Sequence, residues 1–219
     1  MKGLLIKDFF LTLANRRALI IIGIMSLFLA VAGNNETFII SYVSMFSSFL
    51  LLYTMACDEM SHSNAYLLTL PITRREYVFE KYIYGFLTIV AGWGFGFIIC
   101  VVKFTAERQS IDWASWMAEC GVILAAAILA TAVIIPVQIK YGSEKGRLVI
   151  AAAILVVFVI LIVAGDKLME GIDVHIMGIR EFLREMPVNI IVLGAGIIWL
   201  LFILISFAAS VKIMEDKQM

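Results

Sequence analysis

The stretch LVIAAAILVVFVILIVA, Leu148 to Ala164, contains no charged side chain and none that forms a hydrogen bond. At about 1.5 Å per residue such a helix reaches most of the way across a hydrocarbon layer of about 30 Å. The bilayer admits it because a helix satisfies its own backbone N–H and C=O groups. The rest of the chain has the same character. Of 219 residues, 63% are hydrophobic and 16% charged, where a soluble domain has roughly 45–50% and about 25%. A soluble core cannot enclose that surplus, and the charges are gathered between the apolar runs. The sequence is that of an all-α integral membrane protein. Its formal net charge of zero gives no reason to expect a nucleic-acid partner.

Apolar runs between charge clusters predict six transmembrane helices: Ala18–Gly33, Phe38–Cys57, Tyr82–Val102, Ala118–Val137, Leu148–Ala164 and Val188–Val211. The first follows basic residues and ends near Ala30-Val31-Ala32, a pattern shared with cleaved signal peptides; it is expected to be retained as a span. It is short, so Arg16 and Arg17 are expected to snorkel to the interface. With both termini on one side, that side carries twelve Lys and Arg residues and the other five, Lys103, Arg108, Lys167, Arg180 and Arg184. The positive-inside rule then places both termini in the cytoplasm.

Two segments read as lying along the membrane. Residues 1–17 repeat Leu5, Ile6, Phe9, Phe10 and Leu13 at helical spacing, with Lys2, Lys7 and Arg16 available for headgroups, which predicts an interfacial helix. Residues 165–187 form an external loop in which VHIMGIREFLREMP suggests a short amphipathic helix ended by Pro187, packed on its own bundle or offered to a partner or substrate. Two charged loops remain on the inner side, 58–81 and 138–147.

Several chemistries lack their residues. Glu59-Met60-Ser61-His62 has the ExxH spacing of a metal site, but a di-iron bundle needs a second copy, and His175 falls across the membrane; no metal ligand set is expected. Gly92-Trp93-Gly94-Phe95-Gly96 sits inside a span without a preceding strand, so close helix packing explains it better than a dinucleotide loop. Tyr141 to Arg147, YGSEKGR, lacks P-loop spacing. Cys57, Cys100 and Cys120 have no paired spacing and read as packing residues. The middles of all six spans contain no Asp, Glu, Lys, Arg or His, which argues against an ion-coupled transporter and against a membrane hydrolase. No catalytic or cofactor-binding residue is expected. Any uphill transport would draw its energy from a partner.

Ser41, Ser44 and Ser48 share one face of the second span, either as a packing seam or as the weakly polar wall of a substrate path for a greasy or amphipathic cargo. In LLTLPITRREYVFEKY, Leu67 to Tyr82, Pro71 interrupts the helix and biases Leu70 toward extended geometry. Thr73-Arg74-Arg75-Glu76 then fits a capping box that starts a new helix at Arg74, projecting a mixed-charge knuckle into the cytoplasm.

That knuckle, preceded by the acidic pair Asp58 and Glu59, resembles the L-x-x-L-P-[IV]-[ST]-R-x-x-[IV]-x-x-K-Y pattern of bacterial type-2 ATP-binding-cassette exporter permeases. The opening MKGLLIKDFF is similar to the M-x-x-L-[IL]-x-K-D start of that group. The resemblance implies a single permease domain over 1–219 in the bacterial cell membrane, working as a dimer with itself or a paralogous permease and with a separate cytoplasmic ATPase. ATP and Mg would bind that ATPase, and 58–81 would be a coupling loop. Leu70, Pro71, Arg74, Arg75, Glu76 and Lys81 would contact the partner. Small permeases of this group are similar to exporters of antimicrobial or toxin-type peptides that confer self-immunity. The competing readings are a scaffold or sensor independent of ATP, and a passive channel.

Overall fold

The computed structural model describes residues 2–33, 35–60, 73–107, 112–185 and 188–216, the side chains of 60, 107, 144, 147, 153, 154 and 156–192 excepted. The described regular structure is helical throughout. Helices α1 (Lys2–Ala14) and α2 (Arg16–Ala32) meet at Asn15 in a bend of 66°. They are followed by α3 (Glu36–Met60), α4 (Arg74–Glu107), α5 (Trp113–Glu185) and α6 (Val188–Asp216).

Among the described residues, four stretches are long and apolar enough to cross a membrane: Glu36–Glu59, Arg74–Ala106, Trp113–Ser143 and Leu193–Asp216. The bent pair α1–α2 makes a fifth if it counts as one span, with the expected first span in its second limb. The run Leu148–Ala164 falls within α5, beyond a break at Gly142, where φ is 78° and ψ 174°. A β-carbon is disfavoured at that positive φ, and one placed at Gly142 would also lie 3.3 Å from the Glu59 carboxylate. The change of direction expected over 138–147 is therefore concentrated at one residue. Helix continues unbroken from 143 to Glu185, so the amphipathic stretch before α6 is the end of a long helix, which corrects the expectation of a separate short one.

Helix α3 is the most enclosed of the four and α6 the most open, with 56% and 17% of their apolar windows buried. Leu193, Ile197, Leu200, Leu204 and Ile205 face outward on α6, as suits a helix whose outer solvent is lipid. Two apolar clusters hold the bundle. At the end where α4 begins, Leu51, Met55, Val78, Ile135, Ile139 and Val211 meet. At the opposite end Ile39, Ile40, Ile99, Cys100 and Cys120 gather with Phe104 and Trp116; Phe97 stacks between Trp93 and Trp116 at centroid distances of 5.3 and 4.9 Å. There Lys103 donates to the Gly33 carbonyl at 2.6 Å and pairs with Glu36 at 3.2 Å, tying α4 to the turn between α2 and α3.

The glycines of α4 act as the sequence suggests. A β-carbon on Gly92 would collide with the Ser47 hydroxyl and lie 3.3 Å from the Val43 carbonyl; one on Gly96 would lie 3.3 Å from Ile40 Cα. Gly94, between them, meets nothing within 4 Å. The one-turn repeat of small residues lets α3 and α4 approach closely. Gly92→Val is expected to lower stability by about 1–3 kcal/mol, as overpacking does in a filled interior, whereas Gly94→Ala should be neutral. Thermal unfolding in detergent measures both, and an unchanged midpoint for Gly92→Val would show that α3 and α4 are not seated against each other there.

Candidate functional site

The start of α4 is set by its cap. The Thr73 amide donates to the Glu76 carboxylate at 2.9 Å and the Glu76 amide to the Thr73 hydroxyl at 3.2 Å, closing a reciprocal capping box. With the first turn fixed, helical spacing carries Tyr77, Val78, Lys81 and Tyr84 to the interior. Leu70 and Pro71 lie outside the described residues.

Lys81 has no solvent exposure. Its ammonium bonds the Asp8 carboxylate of α1, pairs with Asp58 of α3 at 2.8 Å and lies 3.6 Å from Glu80. Lys7 bonds Asp58 and sits 3.3 Å from Asp8. Tyr77 donates to Asp58 at 3.2 Å, and the Tyr84 hydroxyl donates to the Asp8 carbonyl at 3.1 Å while bonding Thr12. Three helices are thus joined at one end by a network in which Asp8, Asp58, Glu80 and Lys81 are all buried. Placing Lys81 on a surface that grips a partner is corrected here: a side chain with no exposure cannot touch another subunit, and its work is to hold α1, α3 and α4 together. On α1, Leu4, Asp8 and Thr12 form the buried face. Phe9, Phe10 and Leu13 are exposed outward, so the helix turns a polar stripe inward and an apolar one to the lipid.

Arg74 and Arg75 point the other way. Arg74 donates to the carbonyls of Met214 and Glu215 at 3.1 and 2.6 Å, and Arg75 pairs with the Glu215 carboxylate at 3.0 Å. The last carbonyls of a helix have no N–H donor within the helix and carry partial negative charge; a guanidinium is suited to both. The knuckle therefore also holds the end of α6. Arg75 remains exposed and Glu76 half-buried, so this turn keeps some of its polar surface uncovered. At the same end, the Ser143 amide donates to Glu59, so the break in α5 is anchored beside it.

The serines of α3 are enclosed by helices. Ser41 donates to the Thr37 carbonyl at 2.9 Å, Ser48 bonds Thr131 of α5 at 3.3 Å, and Ser44 is buried. Ser47, outside the three-residue stripe read from the sequence, is the one wedged against Gly92. This arrangement favours the packing seam over an open path wall.

The sequence reading singled out Lys7-Asp8, Asp58 and Lys81 only as separate pieces of a resemblance. The structure brings them to one point. To that point it adds Glu80, Tyr77 and Tyr84, and to the arginines it adds Glu215.

A helical bundle with several membrane-crossing stretches, and with its described ionic contacts gathered at the two ends of the helices, is a multi-pass membrane protein. The family follows from residues 3–215, which match the model described as ABC-2 family transporter protein: the chain belongs to that family and is a type-2 ATP-binding-cassette permease. Members of this family are membrane components that normally work with an ATP-binding subunit. No curated protein and no solved structure matches the chain.

Proposed function

We propose that the chain is the permease subunit of an ATP-driven exporter in the bacterial cell membrane, moving an amphipathic or hydrophobic cargo of the antimicrobial or toxin-peptide kind. It works as a dimer, with itself or a paralogous permease, beside a separate cytoplasmic ATPase that holds ATP and Mg. The observation that carries the reading is the Asp8–Lys81–Asp58 network, which makes the first turns of α4 one mechanical unit with α1 and α3. A push on the loop before Thr73 is then passed to three helices at once, as a transition between packed states requires. The exposed Arg75 and half-buried Glu76 supply the polar contact, and Leu70 and Pro71 are proposed to contact the same partner. A scaffold, a sensor or a passive channel has no need of this linkage.

Purification of the full chain with the products of neighbouring genes tests the proposal. A co-purifying P-loop subunit whose ATP turnover rises with the permease present is the expected result; a permease that purifies alone and conducts without ATP would leave the channel reading standing.

The six-span plan with both termini inside is part of the same proposal. It is supported by α6 ending beside Arg74, which calls for an outward and return passage between Gly142 and that contact. In a variant lacking native cysteines, an impermeant thiol reagent applied to intact cells should label Asn35→Cys and Gln109→Cys and miss Lys145→Cys. Ser143 is a poor reporter because it is buried. Labelling of Lys145→Cys from outside would reverse the orientation.

A further inference from the structure

Between the bent pair α1–α2 and the α3–α4 face lies a groove of about 730 Å³, within the range of about 300–1,000 Å³ typical of ligand sites. Its walls are almost wholly apolar: Leu5, Phe9 and Leu13 of α1, Ile22 of α2, Leu50 of α3 and Phe95 of α4 are among them. The chain bends between two lining residues, Leu13 and Leu19, and the bend carries Arg16 and Arg17. Both are exposed, and neither has an ion-pair partner among the described residues.

An apolar groove with two exposed guanidinium groups at the bend in its lining, neither ion-paired among the described residues, matches the chemistry of an anionic phospholipid, with an acyl chain against Leu13, Ile22 and Phe95 and a phosphate taken by Arg16 and Arg17. We propose that this groove is a binding site for one anionic phospholipid, held as a structural ligand that fills the angle between α1 and α2 and sets it. The inference goes beyond the exporter reading and does not depend on what the cargo is. It assigns Arg16 and Arg17 a ligand, where snorkelling alone would give them only the average interface.

The test uses the full chain in detergent, with phosphatidylglycerol, phosphatidylcholine of the same acyl chains, and glycerol phosphate as the headgroup alone. Melting temperature and lipid retained in native mass spectrometry are the readouts. Phosphatidylglycerol is expected to raise the melting temperature by several degrees more than phosphatidylcholine, and glycerol phosphate to do nothing. Arg16→Gln/Arg17→Gln should erase the difference between the two lipids. Gly23→Phe should block retention of both, since Gly23 lines the groove and its β-carbon meets nothing within 4 Å; Ala91→Leu, from the α4 side, repeats that arm if Gly23→Phe does not fold. Three results would overturn the proposal. Undiminished preference for phosphatidylglycerol in the double Gln variant would place the anion elsewhere. Full retention in both filled variants would place the bound lipid outside the groove. Stabilisation by glycerol phosphate equal to that by phosphatidylglycerol would mean an anion site without an acyl chain.

Discussion

Lys81→Met is expected to cost about 3–5 kcal/mol, the usual consequence of removing one partner from a buried ion-pair network. Met keeps most of the side-chain length, so the loss is electrostatic more than steric. Asp8 and Asp58 would stay buried without their shared buried ammonium, leaving the partly exposed Lys7, which touches both, to serve two carboxylates. The triple variant Lys81→Met/Asp8→Asn/Asp58→Asn should recover part of the loss, because burying neutral amides is far cheaper than burying unpaired carboxylates. The midpoint of thermal unfolding of the full chain in detergent, with the monodisperse fraction on size exclusion, reads both effects. A Lys81→Met variant that melts with the native protein would show that the network contributes nothing to the fold. The proposed transmission from knuckle to α1 would then lose its basis.

The second large effect concerns Arg74→Glu/Arg75→Glu. From the sequence alone, reversing these two charges looks harmless to the membrane domain, as they carry no packing duty in the bilayer. The structure changes that expectation: the reversal sets carboxylates against the Met214 and Glu215 carbonyls and the Glu215 side chain. The exposed Arg75–Glu215 pair is worth about 0–1 kcal/mol, and the Arg74 bonds, charge-assisted, about 1.5–3 kcal/mol. The end of α6 should detach while the bundle stays folded. If the same turn meets the ATP-binding subunit, a desolvated contact worth roughly 2–5 kcal/mol is lost as well. At about 1.4 kcal/mol per decade, association falls tenfold or more. The charge swap Arg75→Glu/Glu215→Arg separates the two roles, because it restores the internal pair and not the external one. Pull-down of the ATP-binding subunit and ATP turnover are the measurements. Weak association in the swapped variant is expected; full recovery would confine Arg75 to holding α6.

The membrane class and the helical runs were legible because a stretch such as Leu148–Ala164 leaves composition only one reading. The start of α4 was legible for a local reason: a capping box is written within four residues, Thr73 to Glu76. What escaped is long-range. Asp8, Asp58 and Lys81 stand far apart in sequence, and nothing in the spacing of one predicts the others, so the motif lysine read as a surface charge when it is the most enclosed side chain of its turn. The serines of α3 left two readings open. Helical phase put Ser41, Ser44 and Ser48 on one face, but whether that face meets water or another helix depends on Thr131 of α5, and the closest contact fell to Ser47, off the stripe, because Gly92 sits opposite.

The first two turns of α4 are completed by residues from both extremes of the chain: Asp8 reaches Lys81 from one side, and Met214 and Glu215 reach Arg74 across 140 positions from the other. Chains are made from the N-terminus at about 5–20 residues per second, so the knuckle emerges early and waits until α6 has been made before its arginines find their acceptors. Until then Arg74 and Arg75 are without the carbonyls that orient them. A ribosome-bound chain that has not yet reached Met214 consequently holds the start of α4 by its capping box and the Asp8–Lys81 contact, without its tie to α6.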